Sequence, residues 1–216
     1  MTLRIAVDAS RLAVALANVL PHAGADDMMP VLASLRLEIS ADGLKVVATD
    51  RYTLAWETVG PSSAVTDGKV DTRAPFLRDG EGAGLLSARD AKTVAATLKR
   101  LRFGRVTVEI EPAMIRFIML DSTLTFAAVG GEYPSYHSLV PATGTATGPV
   151  DMIGFTPSFL ARFATVTLQE GQPRGKNAKK PAMTMRFYGA HKPAAVCIGE
   201  TFRAIIMPVK IPEGAS

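Results

Sequence analysis

The chain has 216 residues, a formal net charge of +4 from 24 Lys and Arg against 20 Asp and Glu, and hydrophobic residues at 48%. This composition is that of an ordinary globular protein of one or two domains, and it excludes a disordered or fibrous chain. A single cysteine, Cys197, excludes an intrachain disulfide and a thiolate metal cluster, which favours a cytoplasmic location. We expect no membrane span and no signal peptide, because no apolar run has the required length or flanks.

One pattern occurs three times along the chain: a short apolar strand, an N-capped amphipathic helix and a run of alternating strands. In the first unit we predict a strand at 3–7, a helix over 10–20 with cap residues at 8–10, and strands at 35–39, 44–48 and 54–59. The Asp42-Gly43 pair indicates a hairpin turn between the first two of these last three strands. Residues 60–83 are rich in Gly, Pro, Ser and Asp and are predicted to form a long surface loop.

The second and third units follow the same order. The second has a strand at 85–86, a helix over 87–102 and strands at 106–110, 114–120 and 123–129. The third has an apolar segment at 152–155, a helix over 156–168 opened by Thr156 and Pro157, and strands at 183–188, 194–199 and 203–209. We therefore predict an α+β fold with a complete two-unit domain over 1–141, a small-residue linker over 142–150 and a third unit, half a domain, over 151–216.

Three segments resemble, in order along the chain, motifs of the bacterial sliding clamp, the beta subunit of DNA polymerase III. Residues 46–55, VVATDRYTLA, are similar to that family's ATDGHRLA segment. Residues 130–141, GGEYPSYHSLVP, are similar to its GEFPDYRRLLP segment, and residues 204–211, AIIMPVKI, to its terminal YLIMPMRL. The resemblance implies a DNA-clamp fold built from three helix-plus-antiparallel-strand units.

A clamp of this family has three domains of two units each, and two chains close a ring. This chain resembles the middle domain plus the second half of the last domain. The resemblance implies a processivity factor that encircles double-stranded DNA as a homo-oligomeric ring, from a dimer or a tetramer, and docks DNA polymerase and the clamp loader through short linear motifs. The alternative is a non-ring adaptor or decoy that binds the peptides of clamp partners.

The second helix carries the prediction of DNA contact. Its apolar residues recur at helical spacing from Ala91 to Leu101, and the opposite face is basic. A basic helix face is typical of phosphate contact without base reading, or of an ordinary solvated surface. A basic loop with Lys176, Lys179 and Lys180 either supplements this contact or is merely soluble. With the resemblance, the candidate DNA-binding residues on the three helices are Arg11, Arg89, Lys92, Lys99, Arg100 and Arg162.

The resemblance also implies a hydrophobic cleft between the first two units and the third that binds partner peptides. An apolar rim with a methionine suits a partner that presents Leu or Phe anchors. Core packing is the competing interpretation, above all for Leu32, Leu54 and Ile205. Arg51-Tyr52-Thr53 stands where the family has Gly-His-Arg, so the cleft is expected to differ in shape. The candidate cleft residues are Leu32, Thr49, Arg51, Tyr52, Thr53, Leu54, Pro141, Thr156, Phe159, Ile205, Met207, Pro208 and Val209.

No residue pattern indicates catalysis. His22, His137 and His191 lie in three separate turn or loop contexts, without the spacing of a metal site. The chain has no P-loop, no dinucleotide-type glycine pattern and no nucleophile elbow. We therefore predict a protein that is not an enzyme and that needs no metal or cofactor.

Overall fold

The structure is a computed structural model and describes residues 2–26, 28–62, 82–101, 104–139, 152–169 and 181–211. The first unit contains β1 (Leu3–Asp8), α1 (Ala9–Val19), β2 (Ser34–Ser40), β3 (Gly43–Thr49) and β4 (Thr53–Val59). The second contains β5 (Ala83–Ser87), α2 (Ala88–Arg100), β6 (Arg105–Ile110), β7 (Met114–Ile118) and β8 (Thr123–Ala127). The third contains α3 (Pro157–Ala161), β9 (Met183–Arg186), β10 (Ala194–Ile198) and β11 (Phe202–Ile206). Short 3-10 turns lie at Leu20–His22, His137–Leu139 and Arg162–Thr165.

The strands form two antiparallel sheets, and the predicted α+β fold is confirmed. One sheet has the order β1-β6-β7-β8, and the other has the order β5-β2-β3-β4-β11-β10-β9. The first two units therefore exchange their first strands, since β1 joins the sheet of the second unit and β5 joins that of the first. The third unit extends the first unit's sheet through the pairing of β4 with β11.

The first two helices begin where the sequence predicts, because their caps satisfy backbone donors. Asp8 Oδ1 accepts a hydrogen bond from the backbone N–H of Arg11 at 2.9 Å. Ser87 Oγ accepts one from the N–H of Asp90 at 3.1 Å and donates one to Asp90 Oδ2 at 2.7 Å. α1 and α2 pack against each other and bury their apolar stripes against the sheets.

The predicted hairpin between β2 and β3 is confirmed, with Ser40 opposite Gly43. Gly43 has a φ of +133°, and a Cβ there would lie 2.2 Å from the backbone oxygen of Val59. Only glycine combines this backbone conformation with such a close neighbour.

The predicted third helix over 156–168 is wrong in length. α3 ends at Ala161, and the 3-10 turn Arg162–Thr165 follows. Thr156 makes no side-chain capping bond, and the β-branched run Thr165-Val166-Thr167 disfavours further helix. The predicted strands at 152–155 and 203–209 are also too long, because Gly154 and Val209 form only an isolated bridge.

Other predictions fall outside the described residues. These are the part of the long loop at 63–81, the linker over 142–150 and the basic loop with Lys176, Lys179 and Lys180. The division into domains at 141 and 151 stays a prediction.

A single large buried cluster draws side chains from all three units. It includes Leu12 and Leu16 of α1 and Val94 and Leu98 of α2, together with Phe202 of β11. The third unit thus shares a core with the first two.

Candidate functional site: a basic helix face and an inter-unit cleft

The outer face of α2 is basic and exposed. Ala91, Val94 and Leu98 are buried, whereas the four predicted cations of the helix are exposed. Within the described part of the chain none of these four forms an ion pair. Arg11, on the neighbouring α1, is exposed as well. A pair of packed helices with unpaired cations outside is a surface that attracts a polyanion.

Arg162 has a different environment from the other five predicted DNA-binding residues. Its Nη1 donates hydrogen bonds to Asp50 Oδ2 and Thr53 Oγ1, both at 2.6 Å. Its guanidinium also lies over the ring of Phe159, 4.7 Å from the centroid. Burial alone would raise the pKa of Asp50, but the N–H of Thr53 and the guanidinium of Arg162 hold that pKa below its ordinary value. Arg162 therefore joins the third unit to the turn after β3.

That turn is held by the two residues before Arg51. Asp50 Oδ1 accepts hydrogen bonds from the backbone N–H groups of Tyr52 at 3.0 Å and Thr53 at 2.7 Å. Thr49 Oγ1 accepts one from the N–H of Arg51 at 3.0 Å. Arg51 takes a φ of +77°, a region that favours glycine. This is the position at which the resembled motif has Gly.

Three separate segments meet beside this turn. The N–H of Met207 donates to the backbone oxygen of Tyr52 at 2.9 Å. The ring of Tyr52 stacks on that of Phe159, with centroids 5.4 Å apart. Tyr52 is nevertheless 58% exposed. The junction of the first and third units therefore presents an aromatic and thioether surface.

The predicted cleft residues divide into three groups. Arg51, Tyr52 and Val209 are exposed, and five more are half-buried: Leu32, Thr156, Phe159, Met207 and Pro208. Thr49, Thr53, Leu54 and Ile205 are buried. Pro141 lies outside the described residues.

Leu54 and Ile205 belong to a second buried cluster that also contains Tyr133 and Tyr136. Tyr136 donates its hydroxyl proton to Glu38 Oε2 at 2.9 Å. The two tyrosines of the GGEYPSY segment thus cover the sheet face opposite the helices. Leu54 and Ile205 pack beneath this cover, so the accessible surface of the cleft is built by the exposed and half-buried groups.

A buried polar network that the sequence motifs do not predict lies at the same junction. Glu57 is fully buried, and its Oε2 accepts a hydrogen bond from Asn18 Nδ2 at 2.8 Å. Its Oε1 accepts from Gln169 Nε2 at 3.0 Å and Thr201 Oγ1 at 2.8 Å. A carboxylate at a core-facing position of β4, between Ala55 and Val59, was the available signal.

No helix in the described ranges has the length and apolar character to cross a membrane. Within the same ranges, no group of three or more His, Cys, Asp or Glu side chains is arranged to hold a metal ion.

Comparison with known proteins relates this geometry to one family. No family model matches the chain. The beta sliding clamp of Micrococcus luteus is 29% identical over 145 residues, which are 67% of this chain and 43% of that protein. The chain therefore spans less than half the length of this curated relative.

Solved structures extend the likeness to nearly the whole chain. The DNA polymerase sliding clamp of Pseudomonas aeruginosa superposes with a TM-score of 0.72 at 15% identity, covering 97% of this chain and 66% of that one. The DNA polymerase III beta subunit of Thermotoga maritima gives 0.71 at 17% identity, again over 97% and 66%. Another structure of a Pseudomonas aeruginosa sliding clamp, bound to griselimycin, gives a TM-score of 0.72 at 15% identity with the same coverage. The chain thus has the DNA-clamp fold and is similar in sequence to a bacterial beta sliding clamp, as its three motifs predicted.

Proposed function

We propose that this chain acts as a sliding clamp, a cytoplasmic processivity factor that encircles double-stranded DNA and tethers a DNA polymerase to it. The observation that carries the proposal is the exposed basic face of α2 on a chain with the clamp fold. Arg89, Lys92, Lys99 and Arg100 are free to meet phosphates because none is engaged by a carboxylate within the described residues. Such contacts attract DNA without reading its sequence, which a sliding protein requires.

Arg11 extends this surface onto the neighbouring helix. Arg162 contributes less, because Asp50 and Thr53 already occupy its guanidinium. We propose that DNA contact is concentrated on α2, with the third unit contributing mainly to the shape of the oligomer.

The experiment compares two variants with the same change of net charge. Lys92→Glu with Lys99→Glu reverses charge on α2, and Lys192→Glu with Lys210→Glu reverses two exposed lysines of the third unit. Binding to a duplex of arbitrary sequence should weaken steeply with salt for the wild type. The α2 variant should lose most of this binding and reduce the salt slope by about 2, near one per phosphate contact, whereas the third-unit variant should change it little. Equal loss in both variants would argue for a diffuse charge effect and against α2.

We further propose that the inter-unit cleft docks partner peptides. Tyr52, Phe159 and Met207 offer an apolar surface to Leu and Phe anchors, and the adjacent backbone pairing of Met207 with Tyr52 holds the segments in place. Met207→Asp should weaken binding of a short synthetic peptide with Leu and Phe anchors by about 2 kcal/mol, since the peptide would desolvate an unpaired charge. Leu120→Asp is the matched control, because Leu120 is 95% exposed on the β7–β8 hairpin.

Calorimetry with this peptide, combined with a measurement of retention on DNA, separates the two candidate functions. A clamp binds the peptide and is retained on DNA. Peptide binding without DNA retention would favour the adaptor or decoy function, and equal binding by wild type and the Met207 variant would remove Met207 from the docking surface.

A further inference from the structure

The first two units complete each other by exchanging first strands. β1 of the first unit pairs with β6 of the second, and β5 of the second pairs with β2 of the first. In each sheet, a first strand from the other unit therefore lies beside the unit's own second strand.

All three units share one hydrogen bond that identifies their first strands. In each, the backbone oxygen two residues before the helix N-cap accepts a bond from an N–H group just after the fourth strand. The three N-caps are Asp8, Ser87 and Thr156. The three bonds are Ser62 N–H to Ala6 at 2.8 Å, Val129 N–H to Leu85 at 2.8 Å and Val209 N–H to Gly154 at 2.9 Å. The segment 152–155 therefore occupies the place of a first strand in the third unit, and no strand in the described part of the chain exchanges with it.

In the third unit, the position at which an exchanged first strand would pair is the outer edge of β9. β9 pairs with β10 on one side, and among the described residues no strand pairs with its other side. Met183 on this strand is 43% exposed, and Met152, in the segment 152–155, is 48% exposed. Exposed apolar side chains on an unpaired edge are typical of a surface that another chain covers.

The shared hydrogen bond also defines the register in which a first strand would pair with the outer edge of β9. Glu57, Leu124 and Ala204 each lie five residues before one of its donors. Each of these three residues pairs with a residue of the third strand of its unit, and that residue in turn pairs with one of the second strand. The second-strand residues reached in this way are Leu37, Val108 and Met185. Leu37 lies opposite Gly84 and Val108 opposite Ile5, one residue before the acceptor of the shared bond. The equivalent of Gly84 and Ile5 in the third unit is Ile153.

We propose that a second copy of this chain completes the third unit, and that residues 152–155 of each copy add as an antiparallel strand to β9 of the other. In this register Ile153 lies opposite Met185 of the second copy, and Phe155 lies opposite Met183 of the second copy. The partner segment is the same in both copies, so the interface is two-fold symmetric.

Two independent properties agree with this register. Both facing pairs are apolar, as are Val7 with Val106 and Leu86 with Leu35 in the exchange already present. In antiparallel strands, the backbone N–H and C=O groups of successive residues point alternately to the two neighbouring strands. When this alternation is followed from the Met207–Tyr52 bond through β11 and β10, the backbone groups of Met183 and Met185 point to the open edge of β9. The same alternation directs those of Ile153 and Phe155 away from Val209, toward the incoming β9.

Light scattering at micromolar concentration tests the interface without DNA, so its outcome is separate from that of the proposed function. The wild type should have the mass of a dimer or of an even multiple of it. Met183→Asp should lower the mass at least twofold, because the charge would face Phe155 of the second copy. Met28→Asp, at a residue that is 88% exposed in the first unit, should leave the mass unchanged. A monomeric wild type, or a Met183→Asp variant with wild-type mass, would overturn the proposal.

A cross-link tests the register itself. One chain carries Phe155→Cys and another carries Met183→Cys, both with Cys197→Ser to remove the native thiol. After mixing, a short bis-maleimide should join the two kinds of chain. Replacing the second chain by one with Met28→Cys should abolish the product. The absence of a mixed product in the first experiment, or its presence in the second, would overturn the register.

Discussion

Asn18 on α1 donates a hydrogen bond to Glu57 on β4 at 2.8 Å, and both residues are buried. The same amide of Asn18 donates to the backbone oxygen of Thr167 at 2.8 Å, and Asn18 Oδ1 accepts from the N–H of Thr167 at 2.9 Å. One asparagine thus links a helix, a strand and the third unit. Because buried polar groups are costly when unpaired, this link is stable only in a single docking position of the third unit.

Asn18→Leu should lower the free energy of unfolding by about 3 kcal/mol, because the buried carboxylate and the backbone of Thr167 both lose partners. Chemical denaturation measures the change. Ala17→Leu, at an exposed position of the same helix, is the control and should alter stability by less than about 0.5 kcal/mol. Equal stability of the Asn18 variant and the wild type would show that the network does not hold the third unit.

His22 should make stability depend on pH. Its ring is fully buried beside Phe163 and Phe202, and neither ring nitrogen has a hydrogen-bond partner among the described residues. Burial, with a smaller contribution from the charge of Arg162, lowers the pKa of His22 from 6.5 to about 4. The unfolded chain therefore binds the proton more tightly, so this contribution to stability is present above the unfolded pKa and is lost as pH falls toward the folded one.

Because one pKa unit corresponds to about 1.4 kcal/mol, protonation of His22 should lower the free energy of unfolding by on the order of 3 kcal/mol as the pH falls from neutral to the folded pKa. The free energy of unfolding is measured across this pH range for the wild type and for His22→Phe. Subtracting one profile from the other removes the contribution of the carboxylates, which both proteins share. His191→Phe, at an exposed histidine, is the matched control for the loss of an imidazole. A His22→Phe profile parallel to the wild type would contradict the assignment.

Arg51→Gly should stabilise the chain by about 1 kcal/mol, because glycine adopts the φ of +77° without the steric cost that other residues carry. Arg51→Ala is the matched control, since it removes the same charge and side chain but keeps the unfavourable backbone conformation. Thermal unfolding of both variants distinguishes backbone strain from the contact of Arg51 with Met29. Similar melting temperatures for the two variants would exclude strain as the cause.

The sequence predicted those elements whose signals are local. Helix caps and tight turns depend on contacts within a few residues. For this reason α1 and α2 begin near the predicted positions, after the caps at Asp8 and Ser87, and the β2–β3 hairpin turns at Asp42-Gly43. The third helix was predicted too long because apolar residues such as Phe163 and Val166 serve the shared core without continuing the helix. Amphipathic spacing alone does not distinguish these two uses.

The parts of the site that depend on distant pairing were less accessible. Motif alignment leaves Leu54 and Ile205 open between the cleft and the core, and their burial follows from the pairing of β4 with β11 and the cover of Tyr133. The engagement of Arg162 by Asp50 depends on the same long-range contact. Strand exchange between units cannot be derived from alternation within one strand, because either neighbouring sheet satisfies the same pattern.

Topological retention on a circular plasmid shows whether the chain encloses DNA. The protein is allowed to assemble in the presence of a nicked circular plasmid, washed at high salt, and then treated with a nuclease that cuts the plasmid once. High salt removes ordinary phosphate contacts, so only a closed ring is held. We predict that the protein stays on the circular DNA through the wash and is released when the DNA becomes linear. Loss from the circular DNA during the wash, or retention after the DNA becomes linear, would show that the chain does not enclose DNA.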